Sequence, residues 1–421
     1  MKRRTFIKGV TGMITLPLWS YAKSANATGF YMPDEAEPHA ATWMAFGATE
    51  QAWGTSGAYG ISRKLARHDL MRIAVNLSRF ETVKMLVSPN DMAEAKIMLA
   101  QAKAEKDNVF SGNKNLPAIE IGGKVELIAQ NVDDLWMRDI GPVFVSDQEG
   151  RQFGVSFNFN GWGQESTGVQ GWARDPEKAR NGIQPQPVGN DKKVADFILK
   201  YTNTPKIDTW LVLEGGGIEV DGEGTAICTE SCILNINRNP NRTKAEVEAE
   251  LERVIGVRKV IWLPGLKAHD ITDGHIDFYA RFVAPGQVVF GLDRDPESPE
   301  YDLTHAHEQI LNVATDAKGR KLMITPLIAP AADKVADAVV ARNGWAKRTF
   351  NTEGFAAGYI GFFAANNCIL MQQFGDEAAD KAALSIVQRL YPNRTVSQIA
   401  ADGLANGGGT IHCSTQQQPK V

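Results

Sequence analysis

The sequence is poor in several things, and each shortage narrows its class. Four cysteines, Cys228, Cys232, Cys368 and Cys413, in 421 residues are too few to staple a chain of this length into a disulfide scaffold. No run approaches the ~20 apolar residues that a membrane-crossing helix needs. No Lys/Arg-rich stretch or recognised reading motif follows the first residues, so nucleic acid is not an expected partner. Ser/Gly-rich and Pro-rich linkers are missing too, which leaves the bulk of the chain as one domain. What is present is ordinary for a globular protein: 43% hydrophobic and 22% charged residues, with a formal net charge of −4.

The basic start belongs to a leader. Lys2-Arg3-Arg4-Thr5-Phe6-Ile7-Lys8 precedes the mildly apolar Gly9 to Leu18 and then Ala25-Asn26-Ala27. A charged start, a short apolar stretch and an A-x-A site make a signal peptide, and the paired arginines resemble the twin-arginine type. Residues 1–27 are therefore set apart from a domain at 28–421, with a periplasmic location expected and no membrane attachment once the leader is removed. The leader carries Lys2, Arg3, Arg4, Lys8 and Lys23 and no acid. The remainder is thus more acidic than the whole chain, a balance that favours cationic ligands.

Apolar periodicity predicts helices at 61–80, 90–105, 191–202, 243–255, 301–316 and 377–390. Strands are predicted at 81–87, 125–128, 209–213, 259–263, 322–325 and 395–399. Paired β segments follow at 141–146 with 153–159, at 275–283 with 287–292, and at 356–363 with 367–373. A further pair runs through the turn Asp221-Gly222-Glu223-Gly224. The repeating grammar is helix, strand, hairpin, about five times, with negligible sequence identity between units. The last unit lacks a second hairpin strand, which Ala41–Phe46 could supply, closing a ring. The expected fold is α/β, a single domain of five pseudo-symmetric units. An open α/β sheet would call for longer alternation and fewer hairpins.

Reactive residue types fall at equivalent places, where the first β segment of a unit begins. Asp139 lies in Trp136-Met137-Arg138-Asp139, and Glu214 precedes Gly215-Gly216-Gly217. His275 and Asp277 lie in Gly274-His275-Ile276-Asp277, two apart on an expected strand and so on one face. Cys413 follows the triplet Gly407-Gly408-Gly409. A thiol, an imidazole and a carboxylate are the parts of covalent catalysis. Two further carboxylates exceed what peptide-bond cleavage needs, but they match a planar guanidinium with its five N–H donors. Trp162, in Asn160-Gly161-Trp162-Gly163, is either a packed turn residue or a lining group that stacks on a cation. Asp139 could instead be a structural carboxylate paired with Arg138. Cys228 and Cys232 lack neighbouring metal ligands and read as two core thiols or, in an oxidising compartment, a disulfide.

Longer stretches carry a resemblance. These are Pro38-His39-Ala40-Ala41-Thr42-Trp43-Met44, Trp136 to Pro142, Asn160 to Gly163, Leu213 to Gly216, Asn235 to Pro240, Gly274-His275-x-Asp277, Gln373 to Asp376, and Gly407 to Pro419. In order, they resemble the agmatine deiminases and the bacterial-type peptidylarginine deiminases of the guanidino-group-modifying superfamily. The resemblance implies a five-unit α/β propeller. It implies that Cys413 attacks the guanidinium carbon, His275 shuttles protons, Glu214 orients His275, and Asp139 and Asp277 clamp the nitrogens, without a metal or organic cofactor. The partner it implies is a small cationic guanidino compound or an arginine-containing peptide. Departures cluster in the specificity motifs: the usual LEGGSIHVDG has Gly217 and Glu219 here, and the usual TNGHVDN ends in Phe278. The alternatives are a peptidylarginine deiminase, an amidinotransferase, a periplasmic guanidine or polyamine binding protein, and a cysteine protease, which the extra carboxylates suit poorly.

Overall fold

The computed structural model describes residues 29–55, 57–105, 124–166, 169–170, 176–183, 185–344 and 354–421. The leader expected at 1–27 lies outside the described residues. No helix among them is long and apolar enough to cross a membrane.

The helices form where local signals agree with the packing. Lys244–Ile255 starts at a reciprocal cap: the Thr243 hydroxyl accepts from the Glu246 N–H, and the Glu246 carboxylate accepts from the Thr243 N–H. Such a cap is worth about 1 kcal/mol. The helix ends at Gly256, whose φ of 73° closes the last turn. Between these ends Val247, Leu251, Val254 and Ile255 are buried, each worth about 1.5–3 kcal/mol against exposure.

Five sheets of three or four strands make up the fold, with a separate two-stranded ribbon. Each of the five opens with an antiparallel pair and receives a further strand parallel to the second member of that pair. Glu219–Val220 pairs antiparallel with Thr225–Thr229, which pairs parallel with Lys259–Leu263 after the helix Lys244–Ile255. Ala280–Ala284, Gln287–Leu292 and Met323–Ile328 repeat the arrangement around the helix Tyr301–Val313. Phe363–Ala365, Cys368–Gln372 and Thr395–Ile399 repeat it around Glu377–Leu390. Val143–Asp147, Gln152–Val155 and Lys206–Ile207 do so around Val194–Tyr201. The natural unit is therefore hairpin, helix, strand, a shift of phase from the grouping expected above. The fifth sheet joins the chain's ends. Gln416–Pro419 runs antiparallel to His39–Phe46, with Gln416 opposite Trp43, and His39–Phe46 pairs parallel with Val83–Val87. The expected contribution of Ala41–Phe46 is thus observed.

The middle strands are buried on both faces: all five residues of Thr225–Thr229 and of Cys368–Gln372 are inaccessible. That explains their continuous rather than alternating character. Three expected strands are corrected, one of them at 356–363, where the strand is Phe363–Ala365 and only Phe363 falls within the expected range. Residues 209–213 join no ladder; Asn158 donates to the Thr209 and Leu211 carbonyls, Asn239 accepts from the Val212 N–H, and the Leu213 N–H goes to the Phe157 carbonyl. Residues 275–278 are not extended either: Ile276–Phe278 is a 3-10 turn and the strand begins at Ala280. The helix Ala332–Asn343 was not expected, and only Val335 and Val339 of its residues are buried.

Candidate active site

The candidate residues lie on short helical turns just ahead of the first strand of four sheets. Asp139 is in the turn Met137–Ile140 before Val143–Asp147. Glu214 precedes the turn Gly215–Gly217 before Glu219–Val220. His275 and Asp277 flank and occupy Ile276–Phe278 before Ala280–Ala284. Cys413 precedes Gln416–Pro419. These turns bring the groups together, and all are buried: Cys413 is 5% exposed and His275 1%.

His275 Nε2 lies 3.1 Å from Glu214 Oε2, while Nδ1 faces Asp139 Oδ1 at 3.7 Å and Asp277 Oδ1 at 4.0 Å. The Cys413 thiol lies 3.6 Å from Asp277 Oδ2 and 3.2 Å from Thr410 Oγ1. Gly216 keeps the centre open: a Cβ there would stand 2.6 Å from His275 Nδ1 and 3.0 and 3.1 Å from oxygens of Asp139 and Asp277. Gly409 answers to a different constraint, since its Cβ would stand 2.2 Å from the ring of Trp136. Only glycine lets the nucleophile loop lie so close to that indole.

Electrostatics sort the groups into roles. Burial raises the Cys413 thiol well above its ordinary value, and the Asp277 and Asp139 carboxylates add to the effect. Burial alone would keep His275 neutral, but Asp139, Cys232 and Glu214 outweigh it and hold the ring well above its usual value. His275 is therefore an imidazolium at neutral pH. Glu214 stays below its usual value despite burial, chiefly through Arg238 and His275. Asp139 is pushed up to about 6 by burial, with His275 opposing and Asp277 and Glu214 adding. Asp277 stays low because His412 outweighs its burial. One Asp277 oxygen, Oδ1, is buried without any hydrogen-bond partner. A buried carboxylate oxygen left without a hydrogen bond, 4.0 Å from His275 Nδ1, is an acceptor for a donor that enters the site.

A second layer holds these groups. Arg238 donates from Nε to both Glu214 oxygens, at 3.1 and 2.9 Å, and from NH1 to Asp273 at 2.7 Å. Trp162 donates from its indole to Asp139 Oδ2 at 2.9 Å. Its backbone sits at φ 56° between Gly161 and Gly163, both also left-handed, an unusual conformation for a bulky residue. Trp162 thus has a geometric part that the sequence did not specify, fixing the carboxylate. Arg138 does not pair with Asp139, which corrects the structural alternative for that residue; it reaches Glu35 and Gln417 instead. All four cysteines are free thiols, so the disulfide alternative for Cys228 and Cys232 is not realised. Cys232 lies 3.9 Å from Glu214 Oε2, a place beside Glu214 and His275 that no sequence pattern marks.

Glu214, Cys232 and His275 offer ligand atoms within 4.8 Å of one another, so the fit of a metal has to be weighed. Both Glu214 oxygens already accept from Arg238, whose fixed positive charge opposes a second cation there. The donor set fits a proton relay better than a metal centre.

A profile of the Porphyromonas-type peptidyl-arginine deiminase family matches residues 31–419. The chain belongs to that family. It is 34% identical over 399 residues to an agmatine deiminase of Pseudomonas fluorescens, covering 94% of this chain and 96% of that protein. An agmatine deiminase of Medicago truncatula is 33% identical over 408 residues, covering 93% and 97%. Among solved structures, the agmatine deiminase of Enterococcus faecalis superposes with a TM-score of 0.72 at 30% identity, over 93% of this chain and 96% of that one. Members of this family are hydrolases of guanidino C–N bonds, and this chain is such an enzyme.

Proposed function

We propose that the chain hydrolyses a small cationic guanidine, agmatine first, to N-carbamoylputrescine and ammonia through a covalent intermediate on Cys413. The observation that carries this reading is a connected cluster, Cys413 to Asp277 at 3.6 Å and His275 to Glu214, Asp139 and Asp277 at 3.1, 3.7 and 4.0 Å, with Gly216 leaving space between the last two and His275, and with Asp277 Oδ1 lacking a hydrogen bond. Relatives covering nearly the whole chain are agmatine deiminases.

Asp139 and Asp277 receive the N–H donors of the planar cation. Its positive charge then offsets the burial and the two carboxylates that raise the thiol, so Cys413 gives up its proton to bulk water as the substrate docks. The thiolate adds to the guanidinium carbon. His275 gives its proton to the departing nitrogen, the C–N bond breaks, and ammonia leaves an S-alkylthiouronium. Water adds to the same carbon and yields a proton to the now neutral His275. The C–S bond breaks as the adduct's hydroxyl proton passes to the departing sulfur, releasing the neutral ureido product and restoring the Cys413 thiol. Glu214 holds His275 in place and favours its charged form. None of these steps calls for a metal or an organic cofactor.

We propose further that the five sheets form a propeller about one axis. Support comes from the repeated hairpin–helix–strand pairing, from site residues at equivalent places in four sheets, and from the pairing of the two chain ends. Residues 1–27 are proposed as a twin-arginine signal delivering the domain to the periplasm; an Arg3→Lys, Arg4→Lys variant should remain in the cytoplasm, and its export would refute the route.

The test of function is ammonia and ureido-product release from agmatine, free arginine, and peptides with internal or C-terminal arginine. Agmatine should turn over, and Cys413→Ala should not support it. Turnover of peptides instead would move the chain to peptidylarginine chemistry with the same mechanism. Binding without product from any of them would overturn the enzyme reading in favour of a receptor.

A further inference from the structure

Asp277 has two oxygens with opposite fates. Oδ1 has no hydrogen-bond partner and faces His275 Nδ1 at 4.0 Å, whereas Oδ2, the oxygen beside the Cys413 thiol and the Gly216 opening, accepts from His412 Nδ1 at 2.7 Å. On the far side of the ring, His412 Nε2 lies 2.8 Å from Glu35 Oε2. Glu35 in turn is fixed from several elements. Arg138 NH2 reaches Oε2 at 2.9 Å, while Arg281 NH2 and the Ala364 N–H reach Oε1, each at 2.8 Å. Arg281 is itself anchored by Glu219 and the Phe362 carbonyl, and Arg138 by Gln417. Every one of these groups is buried. They link the segment around Glu35, four sheets through Glu219, Arg281, Ala364 and Gln417, and the loop that carries Cys413.

Both carboxylates that flank the His412 ring are held below their ordinary range. For Glu35 burial is outweighed by Arg281, His412 and Arg138; for Asp277 it is outweighed by His412 and His275. Two ionised carboxylates can only accept, so each ring nitrogen that faces one must carry a proton. His412 thus lies between two carboxylate oxygens, at 2.7 and 2.8 Å from its ring nitrogens, one residue from Cys413 and without being aimed at its sulfur.

We propose that His412, locked between Asp277 and Glu35 with a proton on each ring nitrogen, is a positioning residue of the guanidine-hydrolysing reaction: it holds Asp277 by Oδ2, leaving Oδ1 to the substrate's N–H donors, and it offsets the negative charge that Asp277 sets beside the Cys413 thiol. The proposal rests on the deiminase reading for its kinetic consequence, but its electrostatic part concerns the thiol alone and is measurable without a guanidine. Glu35 acts one step further back, keeping the imidazolium charged and oriented. Neither residue exchanges a proton with the substrate.

The test combines three readouts. In the wild-type protein, ¹⁵N spectra of histidine-labelled material should show, in addition to the His275 ring, a ring with both nitrogens protonated through neutral pH whose signal vanishes in His412→Asn. A neutral His412 tautomer would overturn the proposal without any variant having to fold. The pH dependence of Cys413 alkylation by iodoacetamide comes second. In His412→Asn its midpoint should rise by roughly one unit or more, the size expected when an opposite charge within a few ångströms of a carboxylate is lost. Glu35→Gln should shift it in the same direction by less, and it serves as the test if His412→Asn does not fold. A merely structural role would lower the melting temperature and leave the midpoint in place, which refutes the proposal. Third, KM for agmatine should rise roughly tenfold in either variant, about the loss of one charge-assisted contact. If wild-type protein turns over no guanidine while the alkylation midpoint still moves, the function reading fails and the positioning network stands.

Discussion

Replacing Trp162 by Phe removes one N–H from the site and little else, since the ring remains and the backbone at φ 56° is no worse for Phe. The lost bond is the 2.9 Å donation to Asp139 Oδ2. The other oxygen keeps the Gly216 N–H at 3.3 Å and its approach to His275. Asp139 is buried, so Oδ2 cannot recruit bulk water freely. A hydrogen bond to an ionised group is worth about 1.5–3 kcal/mol, and 1.36 kcal/mol equals one pH unit. Asp139, already pushed up to about 6, should therefore move up by roughly one to two units. The sign follows: the clamp needs the carboxylate, which exists above this value and is lost as pH falls through it. The assay is kcat/KM for agmatine against pH. Wild type should lose activity on the acid side near 6, and Trp162→Phe should lose it at correspondingly higher pH, with the alkaline plateau lowered less. An acid limb that does not move would show that the indole is packing alone and that Asp139 is tuned by something else.

Other substitutions probe other parts of the same geometry. Glu214→Gln takes the anion from His275 Nε2; kcat should fall about 10²–10⁴-fold, the usual worth of acid–base catalysis, and the alkaline limb should move to lower pH. Gly216→Ala should abolish turnover in steady-state assays while circular dichroism stays native, because its methyl would enter the space between His275, Asp139 and Asp277. Arg238→Met leaves Glu214 and Asp273 buried without their shared cation, which should cost about 3–5 kcal/mol, read as a lower denaturant midpoint.

The regular elements were legible because period and composition decide them. Lys259–Leu263, Gln287–Leu292, Thr395–Ile399 and the helix Glu377–Leu390 occupy the residues that their patterns predict. Residues 209–213 have the composition of a strand, but side-chain amides of Asn158 and Asn239 take over its hydrogen bonds, and no local pattern reveals such a competitor. The mistaken strand at 275–278 has a different cause. Asp273 and Gly274 at φ 62° and 87° start a tight turn, and the loop's own bonds set the geometry of His275. The reactive residues were legible as types in recurring places, since a guanidinium demands several carboxylates beside a thiol. Glu35, His412 and Cys232 were not. Glu35 and His412 meet across 377 positions and Cys232 reaches Glu214 over a turn and two strands, 18 positions apart, and each is an unremarkable residue type where it stands.

The central claim is a covalent bond between Cys413 and the substrate carbon. Acid-quenching the enzyme within its first turnovers of agmatine, followed by intact-mass and peptide analysis, tests it most directly. The account predicts a transient adduct equal to agmatine less ammonia on the peptide carrying Cys413, absent in Cys413→Ala and longer-lived in Glu214→Gln. Product formation at an undiminished rate with no such adduct, or an adduct on Cys232, would contradict it.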